Sequence, residues 1–195
     1  MRKCRLFFEK TGKTKYISHL DLMRVFRRMF NRAEIPLKHS EGFNPHPLLS
    51  IVLPLSLGQE SVCEFLDVTF EDEVGSFLRL PERLNPYLPN GIRITRAAVP
   101  LMKPGDIALV RSELTAVSGA WNLPAANITV EKKTKSGNIR QIEVDASALE
   151  RVGETTIACT LPSDVSPQLL ANTLGVEYCE IRRAAVFDGR GKEFE

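Results

Sequence analysis

The chain has 195 residues, 43% of them hydrophobic and 26% charged, with a net charge of +2. That is enough chain for one large domain or two small ones. No run of about 18 apolar residues occurs, so no membrane span is expected. Glu9, Lys10 and Lys13 follow closely on the basic N-terminus, so no signal peptide is expected either, and the protein is expected in the cytoplasm.

The charge is unevenly spread. Residues 1–50 hold eleven Lys and Arg against four Asp and Glu, and the rest of the chain reverses the balance with 15 against 20. A basic first quarter points to a polyanionic partner. The four cysteines, Cys4, Cys63, Cys159 and Cys179, are far apart in sequence. Zinc and iron–sulfur sites usually use close pairs, so no metal or cluster is expected in this chain. Each cysteine lies in an apolar, strand-like segment and is expected to act as a small core hydrophobe. Disulfides are not expected.

Residues 2–8 alternate loosely and read as a strand. Leu22, Val25, Phe26, Met29, Phe30 and Ala33 then recur at helical spacing. Ser18 precedes this stripe, with Asp21 three residues on as a weak capping box, and Pro36 limits the far end. The helix is predicted over 19–33. Residues 40–47 carry Gly42, Pro45 and Pro47 and read as an irregular loop. Strands are predicted at 48–53 and 62–70, a broken helix at 73–88, and a strand at 92–99.

This order, strand, helix, strand, strand, helix, strand, predicts an α+β fold that opens with a ferredoxin-like βαββαβ domain over 1–100. Pro100, Pro104 and Gly105 mark a linker. A second α+β domain, mostly antiparallel strands, is expected over 106–190. Its strands are predicted at 112–118, 126–133, 139–145, 154–161 and 178–187. The turn Lys135-Ser136-Gly137-Asn138 joins two of them. One helix is predicted at 167–174, capped by Ser166 and closed by Gly175. This half reads either as a degenerate second ferredoxin-like unit lacking one helix or as an independent β-rich domain.

The first helix carries Arg24, Arg28 and Arg32 at steps of four, about 6 Å apart along the axis, with Arg27 beside them. Guanidiniums so placed suit successive phosphates. With Lys15 they are the candidate anion-binding residues. The competing reading is a solvated face whose charge is absorbed by pairs such as Asp21–Arg24 and Arg28–Asp67. His19, in the first helical turn, is the one candidate acid–base residue, with loop packing as its alternative role. His46 is framed by two prolines, which fix its backbone, and joins Ser40, Gly42, Phe43 and Asn44 as a candidate binding loop. Arginines and loop are expected to form one cationic cradle. Lys132, Lys133, Lys135, Arg140, Arg182 and Arg183 offer a second basic patch, although strand alternation keeps them off a single surface. Aromatic residues are too sparse to suggest stacking platforms. No phosphate-binding Gly-Lys-Ser/Thr loop or nucleophile elbow occurs.

The segments Ser18-His19-Leu20-Asp21-Leu22-Met23-Arg24, Arg32-Ala33, Ile35-Pro36-Leu37, Gly42-Phe43-Asn44-Pro45-His46-Pro47, Pro54-Leu55 and Leu57-Gly58 resemble the signature of the radical-SAM-linked protein family. The likeness is specific over 16–60. It continues more weakly through Glu64, Asp67, Leu84-Asn85 and Val130 to Lys135. It lapses at about 118–126, where a helix is usual and this chain has Gly119-Ala120-Trp121-Asn122-Leu123-Pro124. The resemblance implies a bacterial accessory protein of unknown molecular function, working beside a radical SAM protein. S-adenosylmethionine and an iron–sulfur cluster would then belong to the partner alone. Genes for a ribonuclease and ribosomal proteins often lie near those of the family, which implies RNA or ribosomal components as further partners. The βαββαβ opening also resembles CRISPR RNA-processing proteins, at the level of fold only. Three functions follow as expectations: a non-catalytic RNA-directed binding module, a metal-independent endoribonuclease using His19, and a protein-interaction scaffold docking through residues 40–47.

Overall fold

Alternating apolar residues at one end of the chain and a helical apolar stripe just after it build the first sheet and its cover. The computed structural model describes residues 2–71, 74–134 and 136–195, and the chain divides into two units, residues 1–104 with 195, and residues 105–194.

In the first unit, strand β1 (Arg2–Lys10) is followed by a 3-10 turn (Gly12–Tyr16) and helix α1 (His19–Arg32). Strands β2 (Leu49–Ile51) and β3 (Glu60–Phe70), helix α2 (Leu80–Leu84) and strand β4 (Ile92–Ala98) complete it. β1 pairs antiparallel with both β3 and β4, and β2 pairs antiparallel with the other edge of β3, giving the order β4-β1-β3-β2. Successive strand residues face opposite sides. Cys4, Leu6 and Phe8 therefore share one face with Leu66 and Val68. There they pack under Leu22, Phe26, Met29 and Phe30 of α1 and Leu80 and Leu84 of α2. Arg5 and Asp67, paired in register, face the other way.

α1 is capped as its sequence indicates. The Ser18 hydroxyl accepts from the Asp21 N–H at 3.2 Å and donates to the Asp21 carboxylate at 2.7 Å. At the far end, Glu34 N–H bonds Asn31 O and Ile35 N–H bonds Phe30 O, a Schellman closure. Glu34 occupies its left-handed position with φ +54°, where glycine is usual. The broken helix is shorter than its 73–88 prediction, because Pro81 and Pro86 confine α2 to one turn between two 3-10 turns, Phe77–Arg79 and Asn85–Tyr87. Part of that prediction, Glu73, lies outside the described residues.

The second unit holds β5 (Ile107–Ala116), the hairpin β6 (Ile128–Lys133) and β7 (Ile139–Val144), β8 (Leu149–Arg151), β9 (Thr156–Pro162), helix α3 (Pro167–Thr173) and β10 (Cys179–Asp188). β5 pairs with β10 and β9, and β9 with β8, all antiparallel, in the order β10-β5-β9-β8. Leaving the hairpin aside, both units thus place their strands fourth, first, third, second. β8 was not predicted; it is only three residues long, too short for a visible alternation. Val130, Ile142 and Val144 of the hairpin join Leu170 and Ala171 of α3 in this unit's core. The segment around 118–126 is not helical. It instead buries Trp121, whose indole N–H donates to Thr155 O at 2.7 Å. The turn residue Lys135 lies outside the described residues.

Candidate functional site: the outer face of the first helix

At about 100° per residue, the apolar stripe of α1 leaves Arg24, Arg27, Arg28 and Arg32 on the side facing away from the sheet. All four are exposed. Arg24 pairs with Asp21 at 2.7 Å, but its side chain is still 68% exposed, and such a pair is readily exchanged for an external anion. The Ser18 and Arg24 hydrogen bonds hold the Asp21 carboxyl below its ordinary pKa, so it remains charged well into acid. Arg32 lies 5.3 Å over the Tyr87 ring, which orients it without neutralising it. Among the described residues, Arg27 and Arg28 make no ion pair or side-chain hydrogen bond. The Arg28–Asp67 pair of the competing, solvated-face reading does not form among the described residues. Asp67 instead receives Arg5 in a bidentate pair at 2.7 and 2.9 Å. That partner was legible in principle, because Arg5 and Asp67 occupy opposed positions on the two central strands.

His19 is exposed at the first turn of α1, and its ring makes no hydrogen bond among the described residues. Lys15 is half-buried just ahead, with its ammonium 5.5 Å over the Tyr16 ring.

The loop at 40–47 is a closed unit. Ser40 N–H donates to His46 O at 2.9 Å, His46 N–H donates to the Ser40 hydroxyl at 3.1 Å, and that hydroxyl meets His46 Nδ1 at 2.9 Å. Gly42 turns at φ +121°. Asn44 is exposed, and Phe43 is fully exposed at the tip. Pro47 pairs with His39, itself exposed. His46 lines a cleft of about 720 Å³ together with Lys3, Arg5, Ser50 and Asp67. Arg5 and Asp67 stand on the sheet face that α1 does not cover. The single cradle expected of arginines plus loop is therefore not what the geometry shows: the guanidiniums point outward from α1, and His46 borders a separate cleft.

The second basic patch is largely engaged. Lys132 donates to both the carboxylate and the main-chain oxygen of Asp164, and Arg140 reaches the same carboxylate at 3.1 Å. These cations hold the Asp164 carboxyl below its ordinary pKa, Lys132 most strongly. Arg182 faces Glu113 at 3.8 Å, and Arg183 is buried. Lys133 is exposed, and Lys135 lies outside the described residues.

All four cysteines lie on strands. Cys4 and Cys159 are fully buried, and burial pushes their thiols up to about 12. Such thiols are poor nucleophiles and ligands. Cys63 and Cys179 are only half-buried, less enclosed than their sequence context indicates. Among the described residues no group of three His, Cys, Asp or Glu side chains is placed to hold a metal, and no helix is long and apolar enough to cross a membrane.

These features define an α+β protein of two antiparallel-sheet units, with an exposed row of arginines along one helix. A family described as an uncharacterized protein conserved in bacteria (DUF2344) matches residues 3–169, and the chain belongs to that family. No curated protein matches it.

Proposed function

We propose that this protein is a non-catalytic binding module that recognises RNA through the outer face of α1 and acts beside a radical SAM protein. The observation that carries the first part is four guanidiniums on one exposed helix face, three of them without any ion pair among the described residues. The basic first quarter of the chain supports it, since phosphate contacts dominate nucleic-acid affinity. The radical SAM partner, and the ribosomal or other RNA it would act on, rest on the resemblance of residues 16–60. The strand order shared by the two units supports reading both as ferredoxin-like, the second with a hairpin where its first helix would stand.

Fluorescence anisotropy with labelled cellular RNA fragments tests the reading. Arg24→Ala with Arg28→Ala is expected to weaken binding about tenfold or more at low salt. Equal binding by parent and variant at every salt concentration would refute it.

Phe43, fully exposed on a closed loop, favours a second role as a docking point for the protein partner. Phe43→Ser is expected to lose that partner in a pull-down while retaining RNA. The endoribonuclease reading gains no such support, because His19 has no acid or base hydrogen-bonded to it among the described residues.

A further inference from the structure

Sparse aromatics in the sequence gave no hint of a stacking platform, yet one exposed ring stands on a firmly anchored turn just ahead of the arginine helix. Tyr16 ends the 3-10 turn Gly12–Tyr16, two residues before the Ser18 cap of α1, and is 66% exposed. The backbone beneath it is fastened from several sides. The Lys10 side chain is buried, and its ammonium donates to Lys15 O at 3.3 Å and Ile17 O at 3.0 Å, the carbonyls on either side of Tyr16. Gly58 N–H donates to the same Lys15 carbonyl, and the Thr14 hydroxyl donates to Thr11 O and lies 3.0 Å from Gly91 O. Gly91 at φ +97° permits this closeness, since a Cβ there would meet Thr11 O at 2.5 Å. Burying an ammonium is costly unless it is well satisfied. Here it fixes the main chain of a residue whose ring is turned out to water.

The surroundings are amphipathic. Leu20 and Leu57 are 69% and 65% exposed. The Gly58–Lys15 bond brings Leu57 beside the turn, and on the helical wheel Leu20 falls in line with Arg24, Arg27 and Asn31. An aromatic and apolar head thus leads onto a row of guanidiniums. Proteins that hold single strands combine these two elements, a ring on which a base stacks and cations that follow the backbone. A duplex keeps its bases stacked inside and offers only phosphates and groove edges.

We propose that the RNA bound by this face is single-stranded, with one base stacked on Tyr16 and the adjoining phosphates held by Arg24, Arg27 and Arg28. This rests on the RNA-binding reading above and goes on to name the form of the RNA.

The test uses the full chain and a 12-nucleotide single-stranded RNA, with the same strand annealed to its complement as competitor. Thermal melting would check that each variant is folded. The parent is expected to prefer the single strand. Tyr16→Ala is expected to lower single-strand affinity about tenfold or more and to leave the weaker duplex binding unchanged. Tyr16→Phe, which keeps the ring, is expected to bind as the parent does. RNA binding that needs the arginines but ignores Tyr16→Ala, or that accepts duplex equally well, would overturn the stacking proposal and leave the RNA-binding reading intact. Loss of a co-purifying protein by Tyr16→Ala with unchanged RNA affinity would overturn it too, assigning the patch to protein docking. A parent chain that binds neither RNA form would remove both readings together.

Discussion

The outer face of α1 and the β6–β7 hairpin look alike in sequence: each gathers several Lys and Arg within a short stretch. In the structure they differ in what the cations already hold. On the hairpin, Lys132 and Arg140 converge on the one carboxylate of Asp164. On α1, the only ion pair of the four arginines among the described residues is Arg24–Asp21, and both of its side chains are mostly exposed. Positive charge available to a partner is set by the acids that share the surface. Arg5 marks the far end of the same scale. It is fully buried, with Asp67 across the strand and the main-chain oxygen of Glu195 as a further acceptor at 3.2 Å.

Substitutions along this scale should separate folding from binding. Arg5→Ala leaves Asp67 without its partner and is expected to lose about 3 kcal/mol of stability, measured by urea unfolding. Arg24→Ala should leave the unfolding midpoint nearly unchanged. Equal losses would mean that the two arginines are engaged to the same degree. Asp164→Asn is expected to release Lys132 and Arg140 with a stability loss below about 1 kcal/mol for so exposed a site, measured by the same unfolding.

Two smaller effects sharpen the contrast. Glu34→Gly relieves the left-handed residue at the end of α1 and is expected to add about 0.5–1 kcal/mol without altering binding. Asp164 titrates lower folded than unfolded, so its tie to the hairpin contributes fully above the ordinary carboxylate value of 3.8 and is lost as pH falls through the lowered folded value. Acid unfolding of Asp164→Asn should therefore show a shallower loss of stability below about pH 4 than the parent. Identical acid limbs would contradict the pairing.

The sequence made α1 plain because three independent signals agreed there: an apolar stripe, a serine cap and a limiting proline. The strands of both units are legible as β-rich or apolar runs between turn signals, apart from three-residue β8 and the first half of β5, residues 107–111. Side-chain pairing was harder to read. The solvated-face reading pairs Asp67 with Arg28, whereas opposed strand positions deliver it to Arg5. Lys10 ends β1. It is buried because the chain folds its next turn back over it and supplies two carbonyls. Tyr16 does not stand out in the sequence for a related reason: aromatic content says nothing of whether a single ring is exposed. The loop at 40–47 was recognisable from its prolines and glycine, but its closure through Ser40 and His46, and its position beside the Arg5–Asp67 cleft, depend on strand register.

Counterion release offers the most direct measurement. Each phosphate neutralised on a single strand adds about 0.7 to the magnitude of the slope of log K against log salt concentration. Comparing the parent with the Arg24→Ala, Arg27→Ala, Arg28→Ala triple variant between 50 and 200 mM salt, roughly the span over which such contacts are resolved, should show the slope fall by about 2. An unchanged slope, with affinity intact, would mean that the guanidiniums of α1 touch no phosphate.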